Sequence, residues 1–139
     1  MNFNPKVWGR NAWNFIHFVA LGYPNKPTNE QKEFYKMFFK SLTTVLPCKK
    51  CRTNYTRHFK KYKIDNYLGS SKQLFQWTVM VRNAIQRDLG KHDDQMKVDP
   101  LREHFMDLQE KASDSYWAKK LMLTIATASV SLFTIILYI

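Results

Sequence analysis

Apolar residues along this chain recur at three- and four-residue intervals, and strand-like alternation is scarce, so the pattern is that of helices. Asn4-Pro5 reads as an N-cap followed by proline at the first helical position. Trp8, Trp13, Ile16, His17 and Ala20 then fall mostly at helical spacing, until Gly22-Tyr23-Pro24 ends the segment. Thr28 with Gln31 makes a capping box, and Phe34, Phe38, Leu42 and Val45 form one stripe behind it. Pro47 is expected to open a third helix carrying Cys48 and Cys51, with Tyr55, Phe59 and Tyr62 along a face. Ser70 with Gln73 caps a fourth, on which Leu74, Trp77, Val81, Ile85 and Leu89 align before Gly90 stops it. Asp99-Pro100 opens a fifth, with Leu101, Phe105, Leu108 and Ala112 in register. Five helices with short connections predict an all-α bundle.

The last part of the chain breaks this amphipathic pattern. Leu121 to Ile139 is nineteen residues without a charge, roughly 28 Å as a helix and close to the hydrocarbon thickness of a bilayer. Trp117, Lys119 and Lys120 precede it as interfacial anchors, and Tyr138 lies at the far end. A buried core helix is the alternative, but the run is apolar on all sides and a domain this small could hardly surround it. A C-terminal transmembrane helix is therefore expected, and the fifth helix can run straight into it. The flanking lysines all lie on its N-terminal side, which places the remainder of the chain in the cytosol. MNFNPKVWGR has no apolar run behind a charged start, so no signal peptide is expected.

Composition narrows the function. The 139 residues fit one domain with a modest core, rich in rings: ten Phe, seven Tyr and four Trp. A formal charge of +11 suits an acidic partner, anionic lipid or a phosphate-bearing ligand. The bases spread over several segments and no nucleic-acid motif appears, so nucleic acid is not an expected partner. The only two cysteines sit together in Pro47-Cys48-Lys49-Lys50-Cys51. A zinc site needs about four ligands, and His17, His58, His92 and His104 offer no compact pair to complete one. As a static staple, a bridge across two residues removes little loop entropy. Two buried, unreactive cysteines stay open as the bland reading, but their spacing beside proline and charge favours a redox pair. From Cys48 to Lys63 there are seven lysines and arginines and no acidic residue, which together with a helix start favours a thiolate. Thiols on a helical bundle do not pass electrons to oxygen efficiently unaided, so a two-electron cofactor is required.

Three blocks carry a resemblance. Trp8-Gly9-Arg10-Asn11-Ala12-Trp13-Asn14-Phe15-Ile16-His17, then Leu46-Pro47-Cys48-Lys49-Lys50-Cys51, then the stretch from Gln76 to Lys91 with Lys97-Val98-Asp99 after it, resemble the Erv/ALR FAD-linked sulfhydryl oxidases. They span roughly residues 1 to 105 in family order, most similar in style to versions encoded by large cytoplasmic DNA viruses. The resemblance implies a four-helix bundle with a short fifth helix that holds FAD at its mouth, usually as a homodimer. The expected organisation is an oxidase domain over 1–108, a helical connector over 109–118 and the membrane helix over 119–139. FAD contacts are implied at Gly9, Arg10, Trp13, His17, Tyr23, Val79, Arg82, Asn83, Ile85, Gln86, Leu89 and Lys91.

Trp13 and His17 are four apart and share a helix face, where they could stack on a flat ring system or simply be core rings. Arg10, Lys91 and Arg82 offer cations for a pyrophosphate, or solvated surface charge. By resemblance, Cys51 is the flavin-proximal sulfur that attacks as a thiolate, and Cys48 the interchange sulfur that meets a protein dithiol, with O2 as the final acceptor giving hydrogen peroxide. Arg82 stands where the family usually has histidine, and Gln86 where it has asparagine. Many relatives also carry a disulfide at the positions of Val79 and Met96, absent here, and a second cysteine pair on a tail, also absent. Substrate thiols, from a small thioredoxin-like or CxxC carrier, must then reach Cys48 directly. The competing reading is a tail-anchored basic interaction module without catalysis.

Overall fold

The helix Ser71–Asp88, α4, is the element the others are built on. In a computed structural model the backbone is described for residues 2–137 and the side chains for residues 2–125. The helices before it are α1 (Pro5–Leu21), α2 (Asn29–Val45) and α3 (Lys49–Lys61), followed by a short 3-10 turn (Ile64–Tyr67); α5 (Val98–Leu137) comes after. Among the described residues there is no strand. The chain divides into two units, residues 1–101 and 102–139. In the first, α4 packs on α1, α3 and the 3-10 turn, and α2 packs on α3.

Local chemistry sets most of the boundaries. Asn4 accepts from the Lys6 N–H at 3.0 Å with Pro5 in the first turn of α1. Thr28 and Gln31 exchange both bonds of a capping box at α2. Ser70 accepts from the Gln73 N–H at the start of α4, and Gly90, at φ +74°, ends the following turn in a conformation that favours glycine. Inside the bundle Trp77 is the largest buried ring. It meets Phe39 edge-on at 5.1 Å and Phe59 at 6.0 Å, and donates its indole N–H to the Tyr62 carbonyl at 2.8 Å. Tyr55 donates to the Phe39 carbonyl at 3.1 Å, tying α3 to α2. The end of α4 is tied to α3 by Asp88, whose carboxylate takes both Arg57 and the buried His58.

Several expectations are corrected. Pro47 does not open α3; Leu46 and Cys48 are both extended, and the helix begins at Lys49 with Cys48 as its N-cap. The pre-proline restriction keeps Leu46 out of helix, and Cys48 Sγ, by accepting the Cys51 N–H, sets the start of α3 at Lys49. Phe34 and Val45 are exposed at 56% and 64%; of the expected stripe Leu42 is buried, and Phe39, outside it, is the other buried residue of α2. Leu89 lies beyond the end of α4 and is exposed. The fifth helix is not short, since α5 continues without a break from Val98 to Leu137. Among the described residues no helix is long and apolar enough to cross a membrane. The side chains of 126–139, most of the expected span, lie outside those described.

Candidate active site

Cys48 and Cys51 are free thiols at the start of α3. The first four N–H groups of a helix lack intrahelical acceptors, and here Cys48 Sγ supplies one, accepting from the Cys51 N–H at 3.3 Å. Burial, at 5% exposure, opposes ionisation of Cys48. The Cys51 thiol, the Cys51 and Lys50 N–H groups and the nearby Arg52 together outweigh that and hold the Cys48 thiol below its ordinary range. Cys51 is pushed up to about 12, first by burial and then by donating to, and sitting beside, Cys48. Ionisation is thus eased at Cys48 and opposed at Cys51, whereas the resemblance implies the attacking thiolate at Cys51. Arg52 reaches back to the Leu46 carbonyl and fixes the turn that leads into the pair.

The α1 residues are built as expected from their spacing. Trp13 and His17 stack at 5.9 Å with 28° between planes, and His17 also meets Phe75 at 5.5 Å. Thr78 Oγ1 already donates to the Phe75 carbonyl at 2.7 Å, so at 2.9 Å it accepts from His17, which puts the imidazole proton on Nδ1. Burial first, and the Arg82 charge second, lower the His17 pKa to about 4, so the ring is neutral near pH 7.

On α4 the expected ligand contacts are in use within the protein. Arg82 is buried; it pairs with Asp94 Oδ1 at 2.7 Å and donates to the Asp94 carbonyl at 2.6 Å. Gln86 adds a bond to Asp94 Oδ2 at 2.8 Å. Asn83 donates to the Met96 carbonyl at 2.8 Å and accepts from the Met96 N–H at 2.9 Å. The loop between α4 and α5 is thus fastened at Asp94 and Met96 without any sulfur. Val79 and Asn83 also line a cleft of about 240 Å³ with Gln76, Met80, Arg87 and Val98. Ile85 is half-buried, while Arg10, Leu89 and Lys91 are exposed. Tyr23 stands apart, buried beyond the end of α1 with its hydroxyl donating to the Leu68 carbonyl at 2.9 Å. Trp8, expected as a helix and motif residue but not as a ligand contact, has its indole nitrogen buried without a hydrogen-bond partner among the described residues. Its neighbour Gly9 has open space where a Cβ would project.

Comparison with known proteins now bears on this arrangement. The sequence profile of the Erv1 / Alr family matches residues 10–116. The chain belongs to that family. Among its relatives is a probable FAD-linked sulfhydryl oxidase of Acanthamoeba polyphaga mimivirus, 46% identical over 89 residues, covering 63% of this chain and 62% of the relative. The FAD-linked sulfhydryl oxidase ERV1 of Arabidopsis thaliana is 38% identical over 85 residues, 60% of this chain and 42% of that protein. The chain thus spans less than two thirds of the length of either. A crystal structure of the FAD binding domain of Erv1 from Saccharomyces cerevisiae superposes with a TM-score of 0.69 at 23% identity, over 76% of this chain and 97% of that one. At that identity the likeness is one of fold, and it agrees with the all-helical Erv1/Alr architecture described above.

Two outcomes are expected. In ultraviolet titration of the reduced protein, one thiolate forms below the ordinary thiol range and belongs to Cys48. Cys51→Ala moves it upward by removing the side-chain donor, and an unmoved titration would refute the assignment. Asn83→Ala strands both Met96 backbone groups and lowers the melting temperature by roughly 5–10 °C, measured by circular dichroism. A change within about 1 °C would show that the loop is held elsewhere.

Proposed function

We propose that this Erv1/Alr chain is a FAD-linked thiol oxidase that forms disulfides in protein dithiols: 2 R-SH + O2 give R-S-S-R + H2O2. The observation that carries the reading is the free Cys48–Cys51 pair at the start of α3, in which Cys48 Sγ caps the helix and ionises more readily than Cys51. A substrate thiolate attacks Cys48 Sγ of the oxidised pair, forming a mixed disulfide as the Cys48–Cys51 bond breaks and its electron pair leaves on Cys51, which takes up a proton. The second substrate thiol loses its proton and attacks the substrate sulfur of that mixed disulfide, releasing Cys48 as the stabilised thiolate. A low-pKa thiolate is the better leaving group, so this step runs toward release of oxidised substrate. Cys48 can then take the Cys51 proton and ready Cys51 for attack. Bound FAD supplies a two-electron acceptor that hands its electrons to O2.

The residues present suit such a cofactor. Trp8 presents a buried N–H in need of an acceptor, Gly9 leaves space beside it, and Trp13 with neutral His17 offers a flat stacked face. Val79 and Asn83 bring a cleft wall, Ile85 and Leu89 apolar surface, and Arg10 and Lys91 exposed cations. Arg82 and Gln86 serve by holding Asp94. Tyr23 supports the end of α1 through Leu68.

Two further parts of the reading concern assembly. On α1 and α2, Phe15, Phe18, Phe34 and Met37 are all exposed, and Val19, Phe34, Tyr35 and Phe38 line an apolar hollow of about 230 Å³. A second copy of this chain suits that face, giving a homodimer. On α5, Leu121, Met122, Leu123 and Ile125 are exposed on every side of the helix, and Lys120 lies over the Trp117 ring at 5.0 Å. That favours a membrane helix over 119–139, joined by a connector over 109–118 to an oxidase domain over 1–108 that faces the cytosol.

The protein is expected to be yellow as isolated and to consume oxygen with dithiothreitol. Cys48→Ser or Cys51→Ser abolishes consumption while bound flavin remains; retained turnover in either variant, or a colourless protein, would leave the tail-anchored interaction module as the better account. In cells, the chain is expected to stay in the membrane pellet after alkaline carbonate, and in detergent to sediment as a pair. Release by carbonate would refute the anchor, and a monomer the dimer.

A further inference from the structure

The residues on either side of Cys48 are already paired with the segment that precedes α1. Phe3 N–H donates to the Pro47 carbonyl at 2.9 Å, and Lys49 N–H donates to Asn2 Oδ1 at 3.0 Å. Leu46 and Cys48 have extended backbone, with φ/ψ of −55°/133° and −136°/124°. The chain bends through Leu46 and Pro47 into α3, and Asn2–Phe3 is fastened across that turn, once before Cys48 by backbone and once after it by the Asn2 side chain. Cys48 is only 5% exposed, so a cysteine on another protein reaches it only after something moves. Asn2 and Phe3 are the lightly held party: both are exposed, Phe3 at 54%. Beside that turn stand exposed Val45, Lys49 and Lys50, and no acidic residue occurs between Cys48 and Lys63.

We propose that Pro47–Lys49 is a polypeptide-binding edge, that Asn2–Phe3 occupies it in place of substrate, and that an extended acidic segment bearing the substrate dithiol displaces it. The inference rests on the thiol-oxidase reading and adds the form in which the substrate arrives. An incoming strand offers an N–H to the Pro47 carbonyl and an acceptor to the Lys49 N–H, so the hydrogen bonds exchange nearly one for one. What selects the substrate is then the charge of Lys49, Lys50 and Arg52 together with the apolar contact left open at Val45. The same exchange uncovers Cys48 Sγ when a thiolate is at hand, so an idle pair stays shielded from stray thiols.

The test uses the full chain and a fluorescent peptide, extended and glutamate-flanked, with serine in place of both cysteines so that binding is followed without reaction. Asn2→Ala removes the acceptor from Lys49 and is expected to tighten the anisotropy Kd about fivefold. Adding Phe3→Pro, which removes the other donor, tightens it further, and raising salt weakens both. Unchanged or weaker binding by Asn2→Ala overturns the proposal, because the segment is then no competitor. Dithiothreitol oxidation by the unaltered protein reports on the thiol-oxidase reading separately. Oxidation without any effect of Asn2→Ala on the Kd removes only the edge. Tightened binding without oxidation keeps the edge and removes the chemistry.

Discussion

At the start of α3 a sulfur takes the place that a serine or aspartate oxygen usually holds. Cys48 Sγ accepts the Cys51 N–H, and the same contact that begins the helix stabilises the Cys48 thiolate. Helix integrity and ionisation are therefore one interaction. When Cys48 and Cys51 join as a disulfide, the charge that strengthens the cap is gone. The reduced form gains from the fold what the oxidised form does not, so the disulfide is a ready electron acceptor. A bond that resists its own formation needs an oxidant to remake it.

α4 supplies the rigid body against which that chemistry is set. Its Trp77 meets rings from α2 and α3, and its Thr78 receives His17 from α1. Arg82 is a cation nearly removed from water, a placement sustained only by pairing and full hydrogen bonding. Asp94 gives it both, through its side chain and its backbone carbonyl. Asn83 then fixes Met96 two residues on. No cysteine lies in this stretch. Here an amide and a guanidinium hold it.

The helices were legible because their first turns announce themselves. Asn4, Thr28 with Gln31, and Ser70 all make the capping bonds their spacing implies. Proline at 47 misled because it is compatible with both a helix start and an extended lead-in, and the neighbouring side chains decide between them. Phe34 and Val45 fit the helical period but fall on a face that nothing in the described chain covers, and period alone does not say which apolar face is inside. Arg82 and Gln86 were legible as departures from the family pattern, but not their shared partner. Asp94 lies in a polar loop with no periodicity to place it. The position of Tyr23 depended on Leu68, forty-five residues away, which no local signal encodes.

The buried and exposed cations of this site divide the labour. Arg82 is satisfied by Asp94, so it is not free to meet a pyrophosphate; its remaining influence is to keep His17 neutral. A neutral imidazole beside Trp13 makes a flat face that accepts an uncharged ring without a desolvation penalty. Arg10 and Lys91, by contrast, are exposed. Lys91 sits at the head of the loop that Arg82 fastens, its N–H on the Gln86 carbonyl at 2.9 Å and its carbonyl on Gln95 at 3.2 Å. Arg82 thus helps to fix the loop at whose head Lys91 stands. Arg82 makes two bonds to Asp94, one to its side chain and one to its backbone carbonyl.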